Sequence, residues 1–167
     1  IVDYYHLTYP GISRYYETTR GLLTATRTLY NLFGRPYHFR DKWGTELFKS
    51  AYSYVPQSSV GELVNRAMVG MYNDNSPETS DFEIMQQVHD NLCGQDQYSD
   101  IDKLVASIRR FQGYMTIPFE AKGRTFTIAT DLKVGFNMGA LTEININLPD
   151  DKLGEELKKI IDGKAAA

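Results

Sequence analysis

Glu83-Ile84-Met85-Gln86-Gln87-Val88-His89-Asp90-Asn91-Leu92-Cys93 is the stretch on which the reading of this chain turns. Apolar residues lead into a sharp His-Asp-Asn, and apolar residues follow it. Two short strands joined by a tight polar turn give that pattern. An Asp at such a tip is held rigidly and faces solvent, which suits a carboxylate that binds a metal ion. An ordinary Asp-Asn turn with no chemical role satisfies the same pattern. The surrounding sequence has to separate the two.

The bulk properties narrow the field. At 167 residues the chain is long enough for one domain with a real core. Its apolar and charged fractions, 42% and 23%, are those of a soluble globular protein. No apolar run would span a membrane and no secretory pattern is present. Cys93 is the only cysteine, which excludes an intrachain disulfide; with His6, His38 and His89 scattered, a structural zinc site is also disfavoured.

The net charge of −3 argues against a basic protein that coats nucleic acid. Its distribution says more. Residues 1–49 carry seven Lys or Arg against four Asp or Glu, while residues 50–167 carry eleven against seventeen. A basic N-terminal third beside an acidic remainder can set a phosphate-binding surface next to a cation site, or it can be chance clustering. Ile1 opens the chain without a Met or a helix cap. Val2, Tyr5, Leu7 and Tyr9 read as the end of an element already under way, so a piece of a longer protein is expected.

The elements follow from periodicity and punctuation. Pro10-Gly11 breaks the first segment. Ile12, Tyr15, Tyr16, Leu22, Leu23, Thr26, Leu29 and Tyr30 predict an amphipathic helix over 12–32, with Arg14, Arg20 and Arg27 on its polar side. Gly34 and Pro36 forbid helix next, and alternating Tyr37 and Phe39 predict a short strand. That strand carries Arg35, His38 and Arg40, basic groups that suit a nucleic-acid backbone or a charge-protected edge equally well. Asp41 is the expected cap of a helix opening at Lys42-Trp43. Pro56 is expected to interrupt it, with a new helix capped by Ser58 or Ser59 and a capping box to Glu62.

Asn73–Pro77 reads as a loop. After the His89-Asp90 hairpin, Ser99-Asp100 caps a helix over 101–111. Residues 115–119 and 125–128 read as strands around a Lys122-Gly123-Arg124 turn. Residues 131–139 look irregular. Ile144, Ile146 and Leu148 alternate, and an amphipathic helix capped by Asp150 or Asp151 runs to about Ile161. Helices with mainly antiparallel strands predict an α+β domain.

Several segments, in order, resemble the C-terminal half of a family A, polymerase-I-like DNA polymerase. Tyr9-Pro10-Gly11-Ile12 is similar to the YPG-type segment after that family's fingers, and Gly34-Arg35 to its GRRR-type strand. The run from Pro56-Gln57-Ser58-Ser59 to Ala67-Met68 resembles its PxQGSAADIIKxAM helix. Gln87-Val88-His89-Asp90-Asn91-Leu92 resembles its QVHDEL motif, and Val134-Gly135-Phe136-Asn137-Met138 its GxNW ending. The resemblance covers about residues 1–140, and its Ser-Ser-Val-Gly variant looks phage-like.

The resemblance implies a polymerase palm: an antiparallel sheet with flanking helices and the His-Asp hairpin at its centre. It implies three parts, a helical segment from the fingers over 1–33, the C-terminal half of the palm over 34–141, and an extension with an amphipathic helix over 142–167. It assigns Asp90 to the catalytic Mg²⁺ ions, two of which would serve in-line transfer of a dNTP to a primer 3′-hydroxyl. His89 would sit near the primer terminus. Arg35, Lys49, Ser53 and Gln57 would contact primer-template DNA, with Lys49 standing where the family has Arg and Ser53 where it has Asn.

Two departures qualify this. Asn91 replaces the usual Glu, and its role stays open. The family's DYSxxELR motif, with its second essential Asp, and its nucleotide-binding RxxxKxxxxxxYG helix do not occur in this sequence. The resemblance would place both before Ile1, in the remainder of the polymerase with its fingers and thumb, as the same or a separate chain. One Asp cannot build a two-metal site, so this chain alone is expected not to polymerise. A single-subunit RNA polymerase fragment and a non-catalytic nucleic-acid-binding module on the same scaffold are the competing readings. The tail over 142–164 is expected to pack onto the rest of such an enzyme or onto an accessory partner.

Overall fold

The computed structural model describes residue 4 and residues 7–165. The chain forms two compact units, Ile1–Glu62 and Leu63–Ala167. The predicted α+β class is observed: among the described residues the helices named below accompany four two-stranded antiparallel sheets.

In the first unit, α1 (Pro10–Thr26) starts with proline in its first turn, where the missing N–H costs nothing. It stops earlier than its periodicity predicts. Arg27 takes a left-handed conformation (φ 53°) and its N–H returns to the Leu23 carbonyl at 2.9 Å. That conformation is unfavourable for a residue with a Cβ. It is held because the guanidinium donates to the Phe39 and Asp41 carbonyls and lies 4.2 Å from the Trp43 ring centre. Thr28–Tyr30 therefore form a strand, β1, paired with β2 (Pro36–His38), instead of a last helical turn. Leu23, Leu29, Phe39, Leu47 and Ala51 make the core, with Phe48 and Tyr54 packed against it.

Helix α2 (Thr45–Tyr72) corrects two expectations. It starts at Thr45, beyond the expected Asp41 cap. It also runs straight through Pro56. Proline leaves the Tyr52 carbonyl, four residues back, without its helical N–H. The Tyr15 hydroxyl of α1 donates to that carbonyl at 2.8 Å. Ser58 and Ser59 do not cap a new helix. The Ser59 hydroxyl donates to the Val55 carbonyl and accepts the Leu32 N–H, while the Asn31 amide donates to Ser58. Glu62 pairs with Arg35 instead of closing a capping box.

In the second unit, Pro77–Thr79 form a 3₁₀ turn and lead to β3 (Glu83–Val88) and β4 (Asn91–Gln95). Helix α3 (Ile101–Met115) is capped as expected: the Asp100 carboxylate accepts the Lys103 N–H at 3.1 Å. It extends through Met115, so the strand predicted over 115–119 shrinks to β5 (Phe119–Ala121), paired with β6 (Arg124–Phe126). Lys122 and Gly123, both with positive φ, form the turn between them in the manner of a type I′ hairpin. The segment read as irregular contains β7 (Leu132–Val134), paired with β8 (Thr142–Ile144).

Helix α4 (Asp150–Ala165) closes the chain. Leu153 and Leu157 of α4, Ile144 of β8, and Leu104 and Val105 of α3 form one core. The C-terminal segment thus packs on this chain's own α3, because the apolar face of α4 matches that of α3. Arg109 fastens it, donating to the Ile146 and Leu148 carbonyls and to Asp150.

Among the described residues each strand pairs with its hairpin partner and no other. Among the described residues the His-Asp hairpin is a separate two-stranded sheet, where a larger palm sheet around it was expected. The strands are three to six residues long, and each pair is closed by its own turn.

Candidate metal-binding hairpin and nucleic-acid stripe

The hairpin forms where the sequence places it. Val88 faces Asn91, Gln87 faces Leu92 and Gln86 faces Cys93, which leaves His89-Asp90 as a two-residue loop. His89 carries a positive φ of 54° and Asp90 does not. A positive φ in such a two-residue loop is usually supplied by glycine, which lacks the Cβ that disfavours it. The Gln87 amide crosses the loop and donates to the His89 carbonyl at 2.8 Å.

The base of the hairpin is anchored while the tip is open. The Phe82 ring packs on Gly94, where any Cβ would come within 2.2 Å of it, and on Phe111 of α3 at 5.1 Å between ring centres. Lys103 of α3 donates to the Ser80 hydroxyl and the Asp81 carboxylate, and the Ser107 hydroxyl to Asp96. A register irregularity between Ile84 and Gln86 leaves Met85 exposed. His89, Asp90 and Asn91 are all exposed. Sequence reasoning gave no role to Phe82 or Gln87, and their signal is faint: an aromatic just before the strand, and an amide two residues before His89.

Asp90 offers one solvent-facing carboxylate. Among the described residues no three His, Cys, Asp or Glu side chains converge. Asn91 opens β4 opposite Val88 and presents a neutral amide.

The expected DNA-contacting residues lie in the first unit. Lys49, Ser53 and Gln57 are spaced by four on α2 and so share one stripe. The buried positions Leu47, Ala51 and Ser59 lie two residues out of phase, on the opposite side of the helix. Lys49 is exposed and paired with exposed Glu46 at 2.9 Å. The Ser53 hydroxyl is turned to the Ser50 carbonyl, and Gln57 projects into solvent beside Pro56.

Arg35 is part of a more built site. Buried Asn31 shapes its loop by accepting the Phe33 and Arg35 N–H groups. Two guanidinium nitrogens of Arg35 hold one Glu62 oxygen at 2.6 and 2.8 Å, with the Arg side chain 61% exposed. A phosphate approaching Arg35 would meet a charge already shared with Glu62.

Away from the hairpin tip, Asp74 and Tyr15 are among the groups shifted from ordinary values. Arg110 grips Asp74 through both carboxylate oxygens, and the Ser76 N–H adds a bond, which together hold this carboxyl well below the usual range. Burial pushes the Tyr15 hydroxyl up, so it stays a neutral donor. Both serve the fold. No helix among the described residues is long and apolar enough to cross a membrane. Compared with family models, with curated proteins and with solved structures, the chain matches none.

Proposed function

We propose that this chain is the C-terminal palm part of a template-directed, family A-type DNA polymerase. The observation that carries the reading is the β3–β4 hairpin, anchored at its base and presenting His89-Asp90 as a two-residue loop. In this reading Asp90 supplies one carboxylate to catalytic Mg²⁺, and the other protein carboxylate comes from outside this sequence. The ions, when bound, supply charge neutralisation at the reacting phosphates.

The chain's own residues do the positioning. His89 lies beside Asp90 with its ring in solvent, where an imidazole N–H can donate to a sugar or phosphate oxygen. The Gln87 amide limits the loop's freedom. Lys49, Ser53 and Gln57 form a polar stripe that tracks a duplex without reading its sequence; Gln57 suits the acceptors of a minor groove. Arg35 can exchange Glu62 for a backbone phosphate. A cytoplasmic, phage-type replicative setting goes with this proposal.

The test is primer extension. The chain alone, with dNTPs, Mg²⁺ and primed template, should extend nothing; robust extension would sink the idea that it is a part. Joined to the remainder of the polymerase it should support extension, and Asp90→Ala should abolish it. Asn91, a neutral residue beside the metal-binding position, favours a second reading, a nucleic-acid-binding module without chemistry. In that case Asp90→Ala leaves both extension and DNA affinity unchanged.

A further inference from the structure

We infer that the outer face of the β1–β2 ribbon is a second nucleic-acid site, a platform for a single strand. The inference rests on the nucleic-acid reading above. It concerns residues to which that reading gives no role: Tyr30, His38 and Arg40.

The register defines the two faces. Leu29 pairs with Tyr37 on one face: Leu29 is buried, and the half-exposed Tyr37 ring packs against Phe39 and Tyr54. Thr28 pairs with His38 and Tyr30 with Pro36, so these four share the outward face. Strand β2 ends at His38, but the Phe39 N–H bonds to the Arg27 carbonyl one step further along the same register, and burial keeps alternating, with Phe39 buried between exposed His38 and Arg40. Arg40 then falls on the same side as His38, two residues along.

Each group on this face is available and placed. Tyr30 is 62% exposed and makes no ring contact or side-chain hydrogen bond among the described residues. Two other exposed aromatics of this unit differ: Arg27 lies over Trp43, and the Tyr37 ring packs against Phe39 and Tyr54. The Thr28 hydroxyl holds Nδ1 of His38 at 3.0 Å, which fixes the ring and leaves Nε2 on the open edge. Arg40 is exposed and makes no ion pair among the described residues.

Charge and spacing choose the occupant. Residues two apart on a strand are separated by roughly 6.5 Å, a step that brings His38 and Arg40 to successive backbone phosphates. A ring free on its outer face can stack a base of any identity. An acidic peptide would satisfy Arg40 but has no use for an unpartnered aromatic ring. A duplex hides its base faces. The combination therefore fits an unpaired strand.

Fluorescence anisotropy of a labelled 12-mer oligothymidylate, titrated with the full chain, tests this. Tyr30→Ala should weaken binding by about tenfold or more, and Tyr30→Phe should retain it, since stacking needs only the ring. Arg40→Gln should weaken binding and reduce the salt dependence by roughly one phosphate contact. The same variants are titrated against a blunt duplex, where Lys49→Gln and Gln57→Ala should have the larger effect. Duplex binding without single-strand binding would overturn the platform and leave the polymerase reading standing. So would single-strand binding indifferent to Tyr30→Ala, or equal competition by polyglutamate. Failure of both probes would overturn both.

Discussion

The Tyr15 hydroxyl donates to the Tyr52 carbonyl at 2.8 Å, at the position on α2 that Pro56 leaves without a helical donor. A proline inside a helix normally kinks or breaks it. Here the lost bond is replaced from a neighbouring helix, and α2 runs for 28 residues. Tyr15→Phe removes the substitute and should destabilise the chain by about 1–3 kcal/mol, measured by urea unfolding. In a Pro56→Ala background the restored main-chain N–H serves the Tyr52 carbonyl, so the same change should cost clearly less. Equal costs in both backgrounds would show that the two residues are not coupled.

Asp74 and Arg110 make a pH-dependent contribution whose sign is fixed. The folded-state pKa of Asp74 is depressed, chiefly by Arg110. The stabilisation is whole above the ordinary Asp value near ~4 and is lost as pH falls through the lower, folded-state value. Asp74→Asn should therefore lower Tm at pH 7. The gap to the wild type should narrow as unfolding is followed down to strongly acidic pH. A gap that stays constant would mean the ionised carboxylate is not what matters.

At the hairpin tip, stability and function should separate. His89 holds a positive φ, which costs a residue with a Cβ about 1–2 kcal/mol. His89→Gly should thus raise or preserve unfolding free energy while weakening primer-template binding. Asp90→Ala, at an exposed position, should stay within about 0.5 kcal/mol of wild type. Polymerase activity reconstituted with that variant should drop by at least ~100-fold. Loss of folding in either variant would return the loop to a purely structural role.

The α2 stripe makes a prediction about salt. Lys49→Gln should weaken duplex binding uniformly across sequences and lower the slope of log affinity against log salt by roughly one. Gln57→Ala should weaken binding and leave that slope unchanged, because an amide releases no counterion. A slope unaffected by Lys49→Gln would remove Lys49 from the phosphate contacts.

Local signals were legible where a residue acts on its own neighbours. Asp100 capping α3, the His89-Asp90 turn and the Lys122-Gly123 turn are all decided within a few residues, and they stand where the sequence places them. Other features are decided by distant residues. Pro56 looked like a helix break because its compensation comes from Tyr15, and the hydroxyl and the carbonyl it serves are 37 residues apart. Tyr30 looked like part of a helix because the stop at Arg27 is a left-handed arginine, held by carbonyls beyond the next strand. A glycine there would have been readable. At the candidate site, position could be read for Asp90 and for the four-residue spacing on α2. The partnership of Arg35 with Glu62 could not, since an apparent capping box competes for the same Glu.

Arg109 has a consequence for how this chain can vary. Two of its bonds to the closing segment end on main-chain oxygens, those of Ile146 and Leu148. Such bonds are blind to side-chain identity. Substitutions at 146 and 148 that keep an apolar residue should pass without disturbing the join, whereas Arg109 itself has no equivalent: lysine lacks the planar fork that reaches several acceptors at once. Tolerance in the last part of the chain is therefore set by a residue some forty positions earlier, and a mutational scan should find the constraint at 109 sharper than at either carbonyl it holds.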